Sequence, residues 1–175
     1  QLFYEGASAM TYVFILALTV TFLVLAAQFE SYIHPFVIML TVPLAMGGGL
    51  LGLYITDSSL NIYSQIALII LVGLSAKNGI LIVEFANQLR DRGVEFSQAL
   101  IQAAEIRFRP ILMTGLTTIA GAIPLVISSG AGSETRLVIG IVILSGVSAA
   151  TIFTLFIVPV AYDLLARHTN SPGAV

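Results

Sequence analysis

Apolar residues in this chain gather into long runs and do not alternate with polar ones. Five such runs lie at about residues 7–27, 35–55, 62–89, 111–127 and 137–165. Each is long enough to cross about 30 Å of hydrocarbon at about 1.5 Å of rise per residue. Hydrocarbon offers a backbone no hydrogen-bond partners, so a chain in it must satisfy itself, and helix is the conformation these runs predict. Three connections are short and polar: Gln28 to Pro35, Thr56 to Asn61 and Ser128 to Glu134. The remaining one, residues 90–109, mixes Asp91, Arg92, Glu95, Glu105 and Arg107 with Val94, Phe96, Leu100, Ile101 and Ala104. The helical recurrence of those apolar positions predicts a short amphipathic helix along the membrane surface. The fold class expected is therefore an all-α integral membrane protein. A five-transmembrane-helix bundle would occupy residues 1–168, with a disordered tail at residues 169–175.

Composition supports the same solvent. The chain is 58% hydrophobic and only 9% charged, against about 25% charged in soluble domains. The formal net charge is −2, and no basic run of the kind that neutralises phosphates is present, which argues against a nucleic-acid partner. Cysteine is absent, which removes disulfides, thiolate metal ligands and cysteine nucleophiles together. His34 and His168 are far apart and neither has a ligand at helical spacing, so no metal site is expected. No G-x-S-x-G, H-E-x-x-H or phosphate-loop motif occurs, so neither an enzyme nor a cofactor is expected.

The arginines set an orientation. Arg90, Arg92, Arg107, Arg109 and Arg167 fall on one side of a five-span chain, and Arg136 alone on the other. The positive-inside rule places the arginine-rich side in the cytoplasm, so the C-terminus is expected there and the N-terminus outside. The chain opens on Gln1 and has Glu5 where a signal peptide would carry positive charge. It reads as a segment of a longer protein with further membrane helices upstream.

Small residues mark places where helices could approach closely. They are Gly47, Gly48, Gly49 and Gly52 in the second run, Gly73, Ser75, Ala76 and Gly79 in the third, and Gly146 and Ala150 in the fifth. Tight packing is the plain reading, and hinge motion or substrate passage the sharper one. Pro43, Pro110, Pro124 and Pro159 are expected to bend or start helices.

Lys77 does not suit a passive span. It lies some twelve residues from the cytoplasmic end of the third run, hence about 18 Å deep. A lysine at mid-bilayer costs roughly 2.5–3.5 kcal/mol on translocon scales. It should face the bundle interior and meet a partner. Either it fixes packing through an ion pair, or it belongs to a proton- or ion-coupling site. Glu84 shares its helix face but is about 10.5 Å away along the axis, and Asp57 and Asp163 lie near helix ends. No carboxylate of this chain stands at its depth, so the partner is expected from elsewhere. Arg107 and Thr114, seven residues apart, share a face of the fourth helix, which runs inward from the cytoplasmic surface and could line a polar route to Lys77. Each also has an ordinary reading, as an interfacial arginine and as a hydroxyl bonded to its own backbone. Helical rise puts Thr114 about 10 Å cytoplasmic of Lys77, a gap that water would have to bridge.

Several of these segments are specific. Gly73-Leu-Ser-Ala-Lys-Asn-Gly-Ile-Leu-Ile-Val-Glu-Phe-Ala86 and Arg107-Phe-Arg-Pro-Ile-Leu-Met-Thr114 resemble two signatures of the resistance–nodulation–division superfamily, in its hydrophobe/amphiphile efflux branch. Ala27 to Tyr32, Val42 to Ala45 and Pro124 to Gly132 are also similar to it. The resemblance implies half of a twelve-span transporter, with this chain as helices eight to twelve. It implies a proton-driven multidrug antiporter of a Gram-negative inner membrane, a homotrimer working with a periplasmic adaptor and an outer-membrane channel. Lys77 stands where the family's lysine meets two aspartates of the N-terminal half. Arg107 and Thr114 match residues of the same proton pathway. The alternatives are a related exporter of metal ions, lipids or proteins, and a structural module that anchors an outer domain.

The arginine bias generates a testable topology. With single cysteines at Ser58, Val94 and Ser133, an impermeant thiol reagent outside the membrane should label positions 58 and 133 and spare 94. The opposite pattern would invert the orientation.

Overall fold

The computed structural model describes residues 2–166, and all of its regular structure is helical. Arg167, His168 and the tail expected at residues 169–175 lie outside the described residues. Six helices follow one another: α1 (Leu2–Phe29), α2 (Ile33–Met39), α3 (Thr41–Ile55), α4 (Ile62–Asp91), α5 (Phe96–Ile127) and α6 (Ser133–Ala166). Counting α2 and α3 as one span, five are long and apolar enough to cross a membrane. The α1–α2 and α4–α5 connections lie at one end of the bundle, here called the arginine-rich end, and the α3–α4 and α5–α6 connections at the other.

Local chemistry explains where the helices start and stop. Asn61 caps α4 by accepting from the Ser64 amide at 2.9 Å, while the Asn61 amide donates to the Ser64 hydroxyl at 2.8 Å. This reciprocal box satisfies two of the amides that a helix start leaves open. At the other end of α4, Gly93 adopts φ +88°, a left-handed conformation that glycine takes without a Cβ penalty. The second span breaks at Leu40 because Pro43, with no N–H, cannot bond the carbonyl of Met39. There the Thr41 hydroxyl donates to the Ile38 carbonyl at 2.7 Å. Pro110, Pro124 and Pro159, by contrast, sit inside continuous helices.

The stretch expected as a separate surface helix differs in one respect. It is helical from Phe96, but it runs through Pro110 into the fourth span without a break. The reason lies in its packing. Ala99, Leu100 and Ala103 are buried in the same cluster as Ile82, Val83 and Ala86 of α4 and Val158 of α6. The segment therefore stands on the bundle as an extension of α5 and does not lie flat beside it.

The core has two layers. One, toward the arginine-rich end, joins Leu25 and Phe29 of α1, Val37 and Ile38 of α2, Ala76 to Leu89 of α4, Ala99 to Ile111 of α5 and Val158 to Tyr162 of α6. The other joins Ala45 and Leu53 of α3, Ala67, Leu68 and Leu71 of α4, and Val138 to Ala150 of α6. On α4 the boundary falls between Leu71 and Ala76, just before Lys77. Close approach of α3 to α6 is the work of Gly48 and Gly52. A Cβ on Gly48 would run into Ala149 and the Ser145 carbonyl, and one on Gly52 into the Ser145 side chain. The G-x-x-x-G pair is thus a helix contact, in keeping with the packing reading, whereas a Cβ on Gly47 or Gly73 would meet nothing within 4 Å.

This contrast is directly measurable. Gly48→Leu should destabilise the purified protein in detergent by about 1–3 kcal/mol, the usual cost of overpacking. Gly47→Leu, one residue away, should leave thermal unfolding nearly unchanged. Equal effects would show that the close approach of α3 to α6 does not depend on Gly48.

Candidate functional site

Lys77 is the only lysine of the chain. Its neighbours on α4, Ser75, Ala76, Asn78 and Gly79, are all buried, whereas Lys77 itself is exposed on the surface of this helical body. The sequence predicted an inward-facing lysine with a partner. Among the described residues, Lys77 forms no hydrogen bond or ion pair, and its side of α4 is not covered by the other helices of this chain. Gly79 lets α2 come close on another side, for a Cβ there would press on Ile38.

A small crevice beside Lys77 is lined by Leu74, Lys77 and Asn78 of α4, Thr114, Gly115 and Thr118 of α5, and Val147 of α6. Its volume of about 20 Å³ is enough for one water molecule. Thr114 is therefore level with Lys77, not 10 Å away. The estimate from helical rise erred because it took Ile111 as the membrane boundary, whereas α5 begins at Phe96. Counted from the opposite ends of the two helices, Lys77 is about 22 Å in and Thr114 about 20 Å in. Gly115 brings α5 against α6, since a Cβ there would collide with the Thr151 side chain.

The Thr114 hydroxyl donates to the carbonyls of Pro110 at 2.9 Å and Ile111 at 3.1 Å. That is the ordinary backbone bond expected of a threonine in a helix. It uses the single donor and leaves oxygen lone pairs able to accept from an ammonium or a water. Asn78, 5% exposed, adds an amide to the same wall. Thr118, whose hydroxyl bonds the Thr114 carbonyl at 2.8 Å, lines it one turn further on. Sequence reasoning passed over Asn78 and Thr118. Their signal was available, as polar side chains on helices that otherwise face lipid or core.

Arg107 does not line this crevice. Its guanidinium lies over the Phe85 ring of α4, 4.7 Å from the ring centre, and its Nε is buried without a hydrogen-bond partner. The structure thus brings Thr114 to Lys77 and sets Arg107 seven residues before Thr114 on α5, over Phe85, which is eight residues past Lys77 on α4, or about 12 Å by rise. A flat guanidinium on a ring face is an attractive arrangement, and more so away from water.

The fold and this site define a polytopic helical membrane protein with one charged side chain placed at the middle of a span. The chain belongs to the AcrB/AcrD/AcrF family, whose sequence profile matches residues 3–166. The resemblance to the hydrophobe/amphiphile efflux branch is borne out by that match. The chain is 49% identical over 175 residues to a protein of Haemophilus influenzae named "Uncharacterized transporter", covering 96% of this chain and 17% of that protein. It is 46% identical over 148 residues to "Multidrug resistance protein MdtF" of Escherichia coli K12, covering 84% of this chain and 14% of the relative. To "Multidrug resistance protein MdtC" of Erwinia amylovora it is 38% identical over 171 residues, covering 97% and 17%. The chain thus spans about one sixth of the length of these relatives.

The contact between Arg107 and Phe85 can be tested by a double-mutant cycle on unfolding in detergent. Arg107→Met and Phe85→Leu should show a coupling of about 0.5–2 kcal/mol. Additive effects would mean that the two side chains do not interact.

Proposed function

We propose that this chain is the C-terminal membrane portion, helices eight to twelve, of a proton-driven multidrug exporter, and that it contributes the lysine side of the proton relay. The observation that carries the reading is the shared crevice of Lys77 and Thr114, big enough for one water, at the middle of the most deeply packed span. Family membership and the names of the relatives MdtF and MdtC support the export function. An anchor needs a single helix and no buried polar route, which disfavours the structural alternative. The lysine within Ser75-Ala76-Lys77-Asn78 favours drug export over the export of metal ions, lipids or proteins.

The physical scheme follows from the face on which Lys77 stands. Its ammonium would meet the aspartates of a helix of the N-terminal half, and a buried ammonium and buried carboxylates stabilise each other's charge. A proton reaching those carboxylates weakens the pairing and frees the ammonium to turn toward the Thr114 crevice. Thr114 and its water would accept the ammonium in the second position, and Arg107 would keep the approach from the arginine-rich end positively charged. Two positions of one side chain, with a balance set by protonation, make the bistable element that coupling requires. The arginine-rich end would be cytoplasmic and the membrane the bacterial inner membrane. The assembly would be a homotrimer joined by a periplasmic adaptor and an outer-membrane channel.

Lys77→Met in the complete transporter keeps the length and the apolar stem and removes the charge. Expression, insertion and trimer assembly should remain near wild type, because an apolar isostere removes a desolvation cost. Drug export should collapse at matched protein level. Export near wild type would make Lys77 a packing residue and place coupling elsewhere.

A further inference from the structure

Among the described residues, a hydrogen-bonded group of buried and half-buried polar side chains lies away from the Lys77 crevice, toward the arginine-rich end. Tyr162 of α6 is fully buried and reaches across to α4. Its hydroxyl donates to Asn87 Oδ1 at 2.5 Å and accepts from Arg90 Nη1 at 3.3 Å. His34 Nε2 of α2 lies 3.1 Å from the same oxygen. With the phenol proton given to Asn87, His34 must donate, which fixes the proton on Nε2. The Tyr162 ring stacks on Phe96 of α5 at 5.4 Å and 22°, and the Arg90 guanidinium lies over that Phe96 ring at 4.9 Å. Four helices therefore meet at one side chain.

Two further facts show how much depends on its oxygen. His34 Nδ1 and Asn87 Nδ2 are buried with no hydrogen-bond partner. The Tyr162 hydroxyl is thus the sole hydrogen-bond partner of both side chains among the described residues. A phenylalanine would fill the same space and stack on Phe96 equally well, so the hydroxyl supplies direction as well as volume. The segment of α4 that it holds is the one that follows Lys77. Ile38 of α2 packs on Gly79, Arg107 of α5 covers Phe85, and Tyr162 bonds Asn87 and Arg90. Asn87 is ten residues past Lys77, or about 15 Å along the axis. The phenol does not reach the lysine, and any effect on it must pass through the helix.

We propose that Tyr162 is the positioning residue of the coupling site: its hydroxyl ties α2 and α6 to the half of α4 that follows Lys77, so that the three move as one body when Lys77 changes partner. This rests on the coupling role of Lys77 proposed above. Without the hydroxyl, α4 can slide or turn against α2 and α6, and a displacement at Lys77 dissipates instead of being passed on. A purely stabilising cluster would lose unfolding stability by the same substitution but would not separate stability from transport.

The test uses the complete transporter in proteoliposomes, with the imposed proton gradient held constant and thermal unfolding followed in parallel. Tyr162→Phe should lower the maximal rate of drug transport by about tenfold, because the tie that makes α2, α4 and α6 move together is lost. The half-saturating drug concentration should change by less than about twofold, because uniform binding is untouched. The triple variant His34→Leu, Asn87→Leu, Tyr162→Phe replaces the hydroxyl and the two side chains bonded to it alone by apolar groups and leaves Arg90 in place, which restores stability when the only loss is an unpaired group. It should recover most of the unfolding temperature and little of the rate. Recovery of rate along with stability would overturn the proposal, as would wild-type transport by Tyr162→Phe while Lys77→Met is inactive. Wild-type transport by Lys77→Met would instead overturn the coupling reading itself, and this inference with it.

Discussion

Hydrocarbon offers no hydrogen bonds, and the polar side chains of this protein are arranged around that constraint. Nearly every serine or threonine hydroxyl on a span turns back to a carbonyl of its own helix. Thr19 bonds Ile15, Thr21 bonds Ala17, Ser75 bonds Val72, Ser145 bonds Ile141, Ser148 bonds Leu144 and Thr151 bonds Val147. These groups are closed on themselves and can lie against lipid or core at little cost. Among the described residues, the side chains that do not close on themselves include Gln65, Lys77, Asn78, Arg107, and the group of His34, Asn87, Arg90 and Tyr162. They stand on or against α4, the helix most enclosed by its neighbours. Most of the polar interior of the bundle is thus a strip along one helix.

Glycine sets the distance at which this strip can work. α6 comes close to α3 through Gly48 and Gly52, and to α5 through Gly115, where the facing residues are Ser145, Ala149 and Thr151. With larger residues there, α6 would stand off, Val147 would leave the wall of the Lys77 crevice, and Tyr162 would no longer reach Asn87. The apolar packing and the polar contacts are therefore one arrangement. The break at Leu40 serves it as well, because α2 can lean inward to put His34 and Ile38 against α6 and α4 while α3 keeps its own direction.

Much of this was legible in the sequence. The apolar runs lie on the helices of the structure, and Lys77 stood out because a lone cation in such a run has a known cost. The pairing of Thr114 with Lys77 was legible as a shared polar route, but its level was not, because depth was counted from a boundary that composition places poorly. Arg107 marks a membrane end by charge, whereas in the fold its helix continues beyond it. The Tyr162 group was missed for a different reason. His34, Asn87 and Tyr162 are 53 and 75 residues apart along the chain, and nothing periodic links them. Only the packing of α2 and α6 on α4 brings them together. Sequence patterning reports which solvent each residue faces, and it is nearly silent on which polar groups meet across helices.

The uneven burial of α1 gives its two ends different seats. Within its described side chains, Leu25 and Phe29 alone are buried, one turn apart at the arginine-rich end. Toward the other end the helix runs beside the start of α4, where Met10, Thr11 and Phe14 share a groove with Gln65 and Leu68. The firm seat of α1 within this chain is therefore its last turn. Phe29 also leans on His34, with ring centres 5.9 Å apart, so that seat rests on the same polar group that holds α4, and a shift of His34 would be felt by α1 as well.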